Sequence, residues 1–383
     1  MLSVAWTMLA GDRAKCLGIV LSLAFTTLLI TQQGAMLQSI LSSTTSFVDS
    51  IGGIDMWVTD PRSAYIDDIK AMTDTQVNRV RGVPGVAWAV PLYKGSIRAR
   101  LPDGSSQNSQ FIGLDDATLI GGPGDMVAGT LADLRVADGI LVDVDAAGGR
   151  LAYPLSGGGT RPLAPGDTLE LNDHHARVMG IYRGRKNFQS QPVIYTTYER
   201  AKAFVPSERK LLSYVLVKLK PGADSAAVSR DIARLTGLKG RTTREFSEES
   251  LRWFIANTGV LMNFGLSTVI AFVIGGGIAG MTFHNFMLDN QRHFAVLRAM
   301  GAGSGTLIAM VALQAAGVTL IGYGIGIGAI ALFAFAMAGS EITLTLTWSM
   351  IGASAAVVVL VGGVSGSFGL RRVLTLDPAV VFK

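Results

Sequence analysis

Four stretches of the chain contain no Asp, Glu, Lys or Arg: residues 16–48, 253–288, 299–340 and 342–370. Each exceeds the roughly 20 apolar residues that a helix needs to cross the hydrocarbon core of a bilayer. The pattern predicts four transmembrane helices, over 17–38, 253–283, 305–338 and 347–370, with 339–346 as a short loop between the last two. Between the first two the pattern changes. Ile54–Val58, Val86–Val90, Gly95–Leu101, Ser109–Leu114 and Tyr214–Leu219 are dense in β-branched and aromatic residues and predict strands, with Pro102-Asp103-Gly104 as a turn. Thr168–Leu171 and Arg177–Tyr182 predict a hairpin turned by Asn172-Asp173-His174-His175.

Helical signals fall between these strands. Asp60-Pro61 suggests a helix start, since Pro suits the first helical position. Asp224 is placed to cap a helix with Val228, Ile232 and Leu235 on one face and Gly237 at its end. Ser247-Glu248-Glu249 places acidic residues at the start of a helix feeding the second span, where they suit the helix dipole. Residues 145–166, rich in Gly and Pro, suggest a loop or flexible insert. The fold class expected is therefore an α-helical membrane protein with four transmembrane helices and a large α+β extracytoplasmic domain, residues 39–252, between helices 1 and 2.

Charge sharpens this division. Only 16% of the 383 residues are charged, too few for an ordinary soluble enzyme. Of the 33 Lys/Arg and 28 Asp/Glu, all but seven and four lie in residues 49–252. That block is a near-neutral, water-soluble domain. The short segments flanking the spans set the orientation. Arg13, Lys15, Arg292, Arg298, Arg371, Arg372 and Lys383 lie in the N-terminal piece 1–16, the linker 284–304 and the tail 371–383. The 339–346 loop has only Glu341. The positive-inside rule places the first three in the cytoplasm and residues 39–252 outside it. A basic start before an apolar run, as at Arg13 and Lys15, is also the pattern that opens a cleaved export signal. Here the run continues through Ile30, and Thr31-Gln32-Gln33 offers no small-x-small site, so an uncleaved anchor is expected.

The spans are rich in glycine, and close backbone packing matters where lipid gives apolar helices little reason to associate. Gly276-x-x-x-Gly280 and Gly362-x-x-x-Gly366 have the spacing for it, although glycine is common in membrane helices generally. No span carries a charged residue, which argues against an ion or proton pathway and suits large apolar or amphiphilic cargo. Cys16 is the only cysteine, so no intrachain disulfide forms.

Candidate chemistry is sparse. His174-His175 lacks a third metal ligand at diagnostic spacing. Asp115-Asp116 and Asp143/Asp145 are carboxylate pairs with nothing else marking a catalytic pocket. HExxH, GxSxG and GxxxxGK[ST] are absent from the sequence. Gly301–Thr306 lacks the Lys of a phosphate loop and follows no strand. No catalytic, metal or cofactor-binding residue is assigned.

The linker carries the most information. In Gln291–Leu307, Phe294, Val296, Leu297 and Met300 stand between and beside Arg292 and Arg298, with glycines at 301, 303 and 305. The stretch predicts a small basic amphipathic helix, suited either to a protein groove or to lipid headgroups.

His293–Ala302, HFAVLRAMGA, resembles the signature that follows the second span in ABC-transporter permeases of the MacB/FtsX/LolC class. The tail Leu376–Phe382 resembles that family's C-terminal D-P-A motif, through Asp377 and Pro378, in a form similar to DevC-like permeases. Arg79–Val90, with VRGVPGVAWAV, has the family's helix-into-strand look. His293 replaces the usual acidic residue, which removes any salt bridge carried over from that position. The resemblance implies that Arg292, His293, Phe294, Val296, Leu297, Arg298, Met300 and Gly301 form a coupling helix. Its apolar anchors Phe294, Leu297 and Met300 would dock into a separate cytoplasmic ATPase that binds ATP and Mg. It also implies a homodimer or paired permeases in the bacterial inner membrane, in contact with lipid and with no nucleic-acid partner. DevC-like members resemble the permease half of tripartite exporters with a membrane-fusion protein and an outer-membrane channel. The function expected is an ATP-driven exporter permease. The alternative is an FtsX-like transducer that activates a cell-wall hydrolase.

Overall fold

The computed structural model describes residues 2–155, 158–184, 191–206, 212–337 and 346–374. The chain divides into two compact units, Leu41–Thr258 and Met1–Ile40 with Gly259–Lys383.

The first unit is built on a ten-stranded mixed sheet. In chain order its elements are β1 (Met56–Thr59), α3 (Thr75–Arg81), β2 (Val86–Arg100), β3 (Ser106–Leu114), β4 (Met126–Ala128) and β5 (Gly139–Asp143). Then follow α4 (Val144–Gly148), β6 (Tyr153–Pro154), β7 (Thr160–Arg161), β8 (Thr168–Leu171), β9 (His174–Tyr182) and β10 (Val193–Thr197). α5 (Tyr198–Phe204), β11 (Tyr214–Leu219), α6 (Ser225–Thr236), β12 (Lys239–Thr242) and α7 (Thr243–Asn257) complete it. The strand order is β12-β1-β11-β2-β3-β10-β5-β9-β4, with β8 pairing β2 and β9. The β3–β10 and β5–β9 pairs are parallel; the other pairs in this sheet are antiparallel.

Period-two alternation feeds two cores, one on each face. Met56, Val58, Val215 and Val217 enter one together with Val228 and Ile232 of α6. Trp57, Tyr214 and Leu216 enter the other, where Phe246 of α7 joins them. The indole of Trp57 packs 5.5 Å from the Tyr214 ring and 5.6 Å from that of Phe246.

Several expectations require correction here. The strands predicted at 86–90 and 95–101 are one strand, β2. Pro91 is tolerated because the ladder with β3 starts only at Leu92, beyond the place where its missing N–H would count. No helix follows Asp60-Pro61. The Asp60 carboxylate accepts from the Arg62 backbone N–H at 2.9 Å and closes a turn instead. The β8–β9 turn is Asn172-Asp173, both at positive φ (48° and 66°), and His174 and His175 already belong to β9. Residues 145–166 are not a flexible insert over the part described. Leu151 and Leu163 are buried, β6 pairs with β7, and Arg161 forms two hydrogen bonds to Asp167 at 2.6 and 2.7 Å. That guanidinium holds the Asp167 carboxyl below the usual carboxylate range.

On α6 the Asp224 cap and Gly237 end stand, but the buried face runs Val228, Ile232, Thr236 while Leu235 is exposed. Ser247–Glu249 fall in the second turn of α7. Its start is a capping box, with Glu245 N–H donating to Thr242 Oγ1 and Thr242 N–H to Glu245 Oε2. α7 also takes residues 253–257 out of the predicted second span. Trp253 stacks on Tyr65 at 3.9 Å, and Gly259 at φ +66° separates α7 from the next helix.

The second unit is helical. α1 (Leu2–Gly11), α2 (Arg13–Ser50, continuing into the first unit), α8 (Val260–Asp289), α9 (Gln291–Ala299), α10 (Ser304–Ala336) and α11 (Trp348–Leu374) follow in order. Four helices, α2, α8, α10 and the 348–367 part of α11, are long and apolar enough to cross a membrane. The predicted outer loop lies largely outside the described residues. Glycines set the close approaches. A Cβ at Gly322 would stand 2.7 Å from Leu23 Cβ, and one at Gly326 would stand 2.5 Å from Thr27 Cβ. Both positions therefore require glycine where α10 meets α2. Gly362 and Gly366 face Thr319 and Ala315 of α10 in the same manner, and Gly275 faces Thr26. Gly280 is buried, whereas Gly276 has room, with Val361 at an ordinary 3.6 Å.

Candidate functional site

The residues joining α8 to α10 form a nine-residue helix, α9, inside predicted segment 284–304. Asn290 turns the chain into it, its side-chain amide donating to the Phe286 carbonyl at 2.9 Å. The helix ends at Gly301, φ +97°, whose N–H donates to the Arg298 carbonyl while Ala302 N–H reaches Leu297 O. Only glycine adopts that left-handed conformation without strain, which explains the Met300-Gly301 step.

The apolar residues of α9 divide between two faces. Phe294 is 0% exposed and sits in a cluster with Phe283, Phe286, Met287 and Leu307, with Leu297 half-buried against it. Val296 is 41% and Met300 69% exposed, and Arg292 and His293 are exposed beside them. These four lie at i, i+1, i+4 and i+8, one face of the helix. Phe294, expected to be a docking anchor, is thus enclosed by its own bundle, and Leu297, expected to be another, is half-buried beside it. They pin α9 to its own bundle, because a phenyl ring next to three apolar neighbours of α8 is better buried there than left for a partner. Just before α9, Asp289 and Asp12 share the Lys15 ammonium, the latter at 2.9 Å. These charges are satisfied within the chain.

The remaining candidates are dispersed. His174 and His175, adjacent on β9, point to opposite faces of the strand. His174 packs near Phe204 in a cavity of about 910 Å³ that Arg98 and Arg100 also line, and His175 lines a different one. Asp115 accepts from Thr118 N–H and closes a turn, and Asp116 accepts from Glu199 N–H at the start of α5. Asp143 caps α4 and accepts from Gly184 N–H at 2.9 Å, while burial pushes its carboxyl up. No group of three metal-ligating side chains occurs among the described residues. Gly301–Thr306 leads directly into α10. Asp377 and Pro378 lie outside the described residues.

Sequence reasoning missed two features. α1 packs Ala5 and Leu9 into the bundle, where residues 1–16 were expected to be a cytoplasmic terminus, and Gln314 of α10 donates to the Ala5 carbonyl at 2.8 Å. A charge-free run with a Trp at 6, and a single Gln in an apolar stretch, were the available signals.

Residues 16–235 match the MacB-like periplasmic core domain, and residues 265–378 match the FtsX-like permease C-terminal domain. The chain belongs to the MacB/FtsX family of ABC transporter permeases. A relative from Methanocaldococcus jannaschii, the uncharacterized ABC transporter permease MJ1507, is 24% identical over 168 residues. The match covers 42% of this chain and only 41% of that protein. Among solved structures, the periplasmic region of MacB from Actinobacillus actinomycetemcomitans is 16% identical with a TM-score of 0.37. That comparison covers 55% of this chain and 96% of that one. The extracellular domain of the ABC-type transporter YknZ from Gram-positive bacteria is 15% identical with a TM-score of 0.33, over 49% and 98%. As a MacB/FtsX-family permease, the chain is a multi-span membrane protein with a periplasmic-type α/β domain.

Proposed function

We propose that this chain is the permease subunit of an ATP-driven exporter, and that its ATPase docks on the outward face of α9. The observation that carries the reading is the division of α9. Phe294 and Leu297 fix the helix to the bundle, while Val296 and Met300, flanked by Arg292 and His293, are turned away from it. Two apolar side chains beside the Arg292 guanidinium suit a groove on a partner, the apolar pair supplying binding and Arg292 steering. The rigid attachment by Phe294 lets motion of the partner reach α8 and α10 directly.

In this reading α9 and both termini are cytoplasmic and residues 41–258 are extracytoplasmic, a topology supported by the basic residues in the short segments. ATP and Mg belong to the partner. The permease acts as a homodimer or in a pair, moving hydrophobic or amphiphilic cargo, since the spans offer no charged side chain to an ion. The D-P-A tail supports a DevC-like subtype working with a membrane-fusion protein and an outer-membrane channel. Cargo-stimulated ATP hydrolysis in the reconstituted complex is the expected behaviour; stimulation only by a cell-wall hydrolase would make the chain a transducer. The docking face is tested by Val296→Asp with Met300→Asp. The pair should release the ATPase in co-purification while permease levels in the membrane stay unchanged. Full retention of the ATPase would refute the site.

A further inference from the structure

Residues 60–72 run from β1 to α3 with no helix or strand of their own beyond a single bridge, Met72 to Leu212. Irregular connections of that length are uncommon in a compact domain and usually functional. This one is gripped on both sides. Tyr65 stacks on Trp253 of α7 with ring centres 3.9 Å apart. Ile66, 1% exposed, donates its N–H to Ser250 Oγ of α7 at 3.2 Å, and its carbonyl accepts from the Tyr214 hydroxyl. The next residue, Asp67, is paired with the Lys94 ammonium of β2, whose side chain is 3% exposed. That ammonium also lies 5.4 Å from the centre of the Phe47 ring, near the end of α2. The α/β unit starts at Leu41 in α2 and ends at Thr258, just past α7, so these two helices are its attachments to the spans.

Burying an ammonium is costly even when it is paired, and an apolar side chain of similar volume would avoid that cost. What an apolar side chain would not do is hold a carboxylate and an aromatic face at once. We propose that residues 60–72 are a strap tying the end of α2 to α7, with Lys94 as the positioning residue that fastens it. Two further contacts run alongside. Phe47 packs edge-on against Trp57 at 6.1 Å, and Ser247 Oγ donates to Asp49 at 3.0 Å. The second of these is exposed to water and weak, so the enclosed Lys94 carries more of the tie. With the strap fastened, a displacement of either attachment reaches the sheet through both helices together. The tie is a property of the chain alone; its use in transmitting a stroke rests on the exporter reading.

The test uses the full-length permease, Cys16→Ser, in lipid nanodiscs without ATPase. Spin labels are placed at two exposed positions, Ser50→Cys on α2 and Arg252→Cys on α7. Pulsed dipolar spectroscopy should give one narrow distance. Lys94→Met, and separately Asp67→Asn, should widen that distribution about twofold and speed amide exchange at residues 64–67 about tenfold, with β5, β9 and β10 unchanged. Equal widths in parent and variants would overturn the proposal. So would faster exchange across β5, β9 and β10, since the pair would then only stabilise the unit. Trp253→Leu with Ser250→Ala cuts the strap from α7 and should widen the distribution as well; an unchanged width would show that the helices are joined by another route. In the reconstituted complex, Lys94→Met should keep basal ATP hydrolysis and lose most of the cargo stimulation. Full stimulation despite a widened distance would refute the strap as a transmitter, whereas a parent without stimulation would count against the exporter reading itself.

Discussion

The α/β unit and the helical bundle solve the burial problem in opposite ways. In the sheet, large side chains alternate to two faces and are fully enclosed: Trp57, Phe111, Tyr214 and Phe246 are all below 2% exposed. In the bundle, large apolar residues such as Leu266, Val269, Val273 and Leu320 are exposed, while glycines at 322, 326, 362 and 366 occupy the contacts. In water the large residue goes inside because its removal from solvent drives folding. In lipid that drive vanishes, and the small residue goes inside because it lets backbones approach. The difference also marks α9, where Phe294 is enclosed among phenylalanines but Val296 and Met300 remain outside.

This contrast can be broken at several points. The largest effect is expected from Trp57→Ala, which empties the aromatic cluster and should destabilise the α/β unit by about 3–5 kcal/mol. Denaturant titration of the full chain, followed by tryptophan fluorescence and near-ultraviolet dichroism, measures it. Next, Gly326→Leu should cost about 1–3 kcal/mol or split α2 from α10, because its Cβ meets Thr27 and the Ala24 carbonyl. Gly324→Leu, where the space is open, should leave the thermal midpoint in detergent unchanged. Equal effects of the two would remove glycine packing from the account.

Smaller still is Glu249→Gln. The carboxylate accepts from Lys239 and from buried Arg241, each at 2.9 Å. Although burial opposes it, these cations hold the Glu249 carboxyl below its ordinary range. The stability it contributes is present above the unfolded glutamate range and is lost as pH falls through the lowered folded value. The variant should lose about 1–2 kcal/mol at neutral pH, since Glu249 remains partly solvated, and should show a flatter acid limb in pH-dependent unfolding. His175→Ala, on an exposed strand position, should stay within about 0.5 kcal/mol of the parent by the same denaturation assay.

How much of this was legible in the sequence follows from the same physics. Charge-free runs depend only on local composition, so the four apolar helices could be read directly, and Asp224 with Gly237 marks α6 by chemistry local to the chain. Boundaries set by distant partners were not legible. Residues 253–257 resemble a span until Tyr65 stacks on Trp253, and 145–166 resembles a loose insert until Asp167 clamps Arg161. At the candidate site the existence of α9 was readable from its amphipathic spacing. Which apolar residues face inward was not, because that depends on Phe283, Phe286 and Met287 of the neighbouring helix.

The central claim is that a separate ATPase grips the outward face of α9. Photo-cross-linkable residues at 296, 300 and 266 of the full-length permease, co-expressed with its ATPase, test it most directly. The account predicts adducts with the ATPase from 296 and 300 and none from the exposed α8 position 266. Adducts from 266 alone, or from none of the three in an assembled complex, would contradict it.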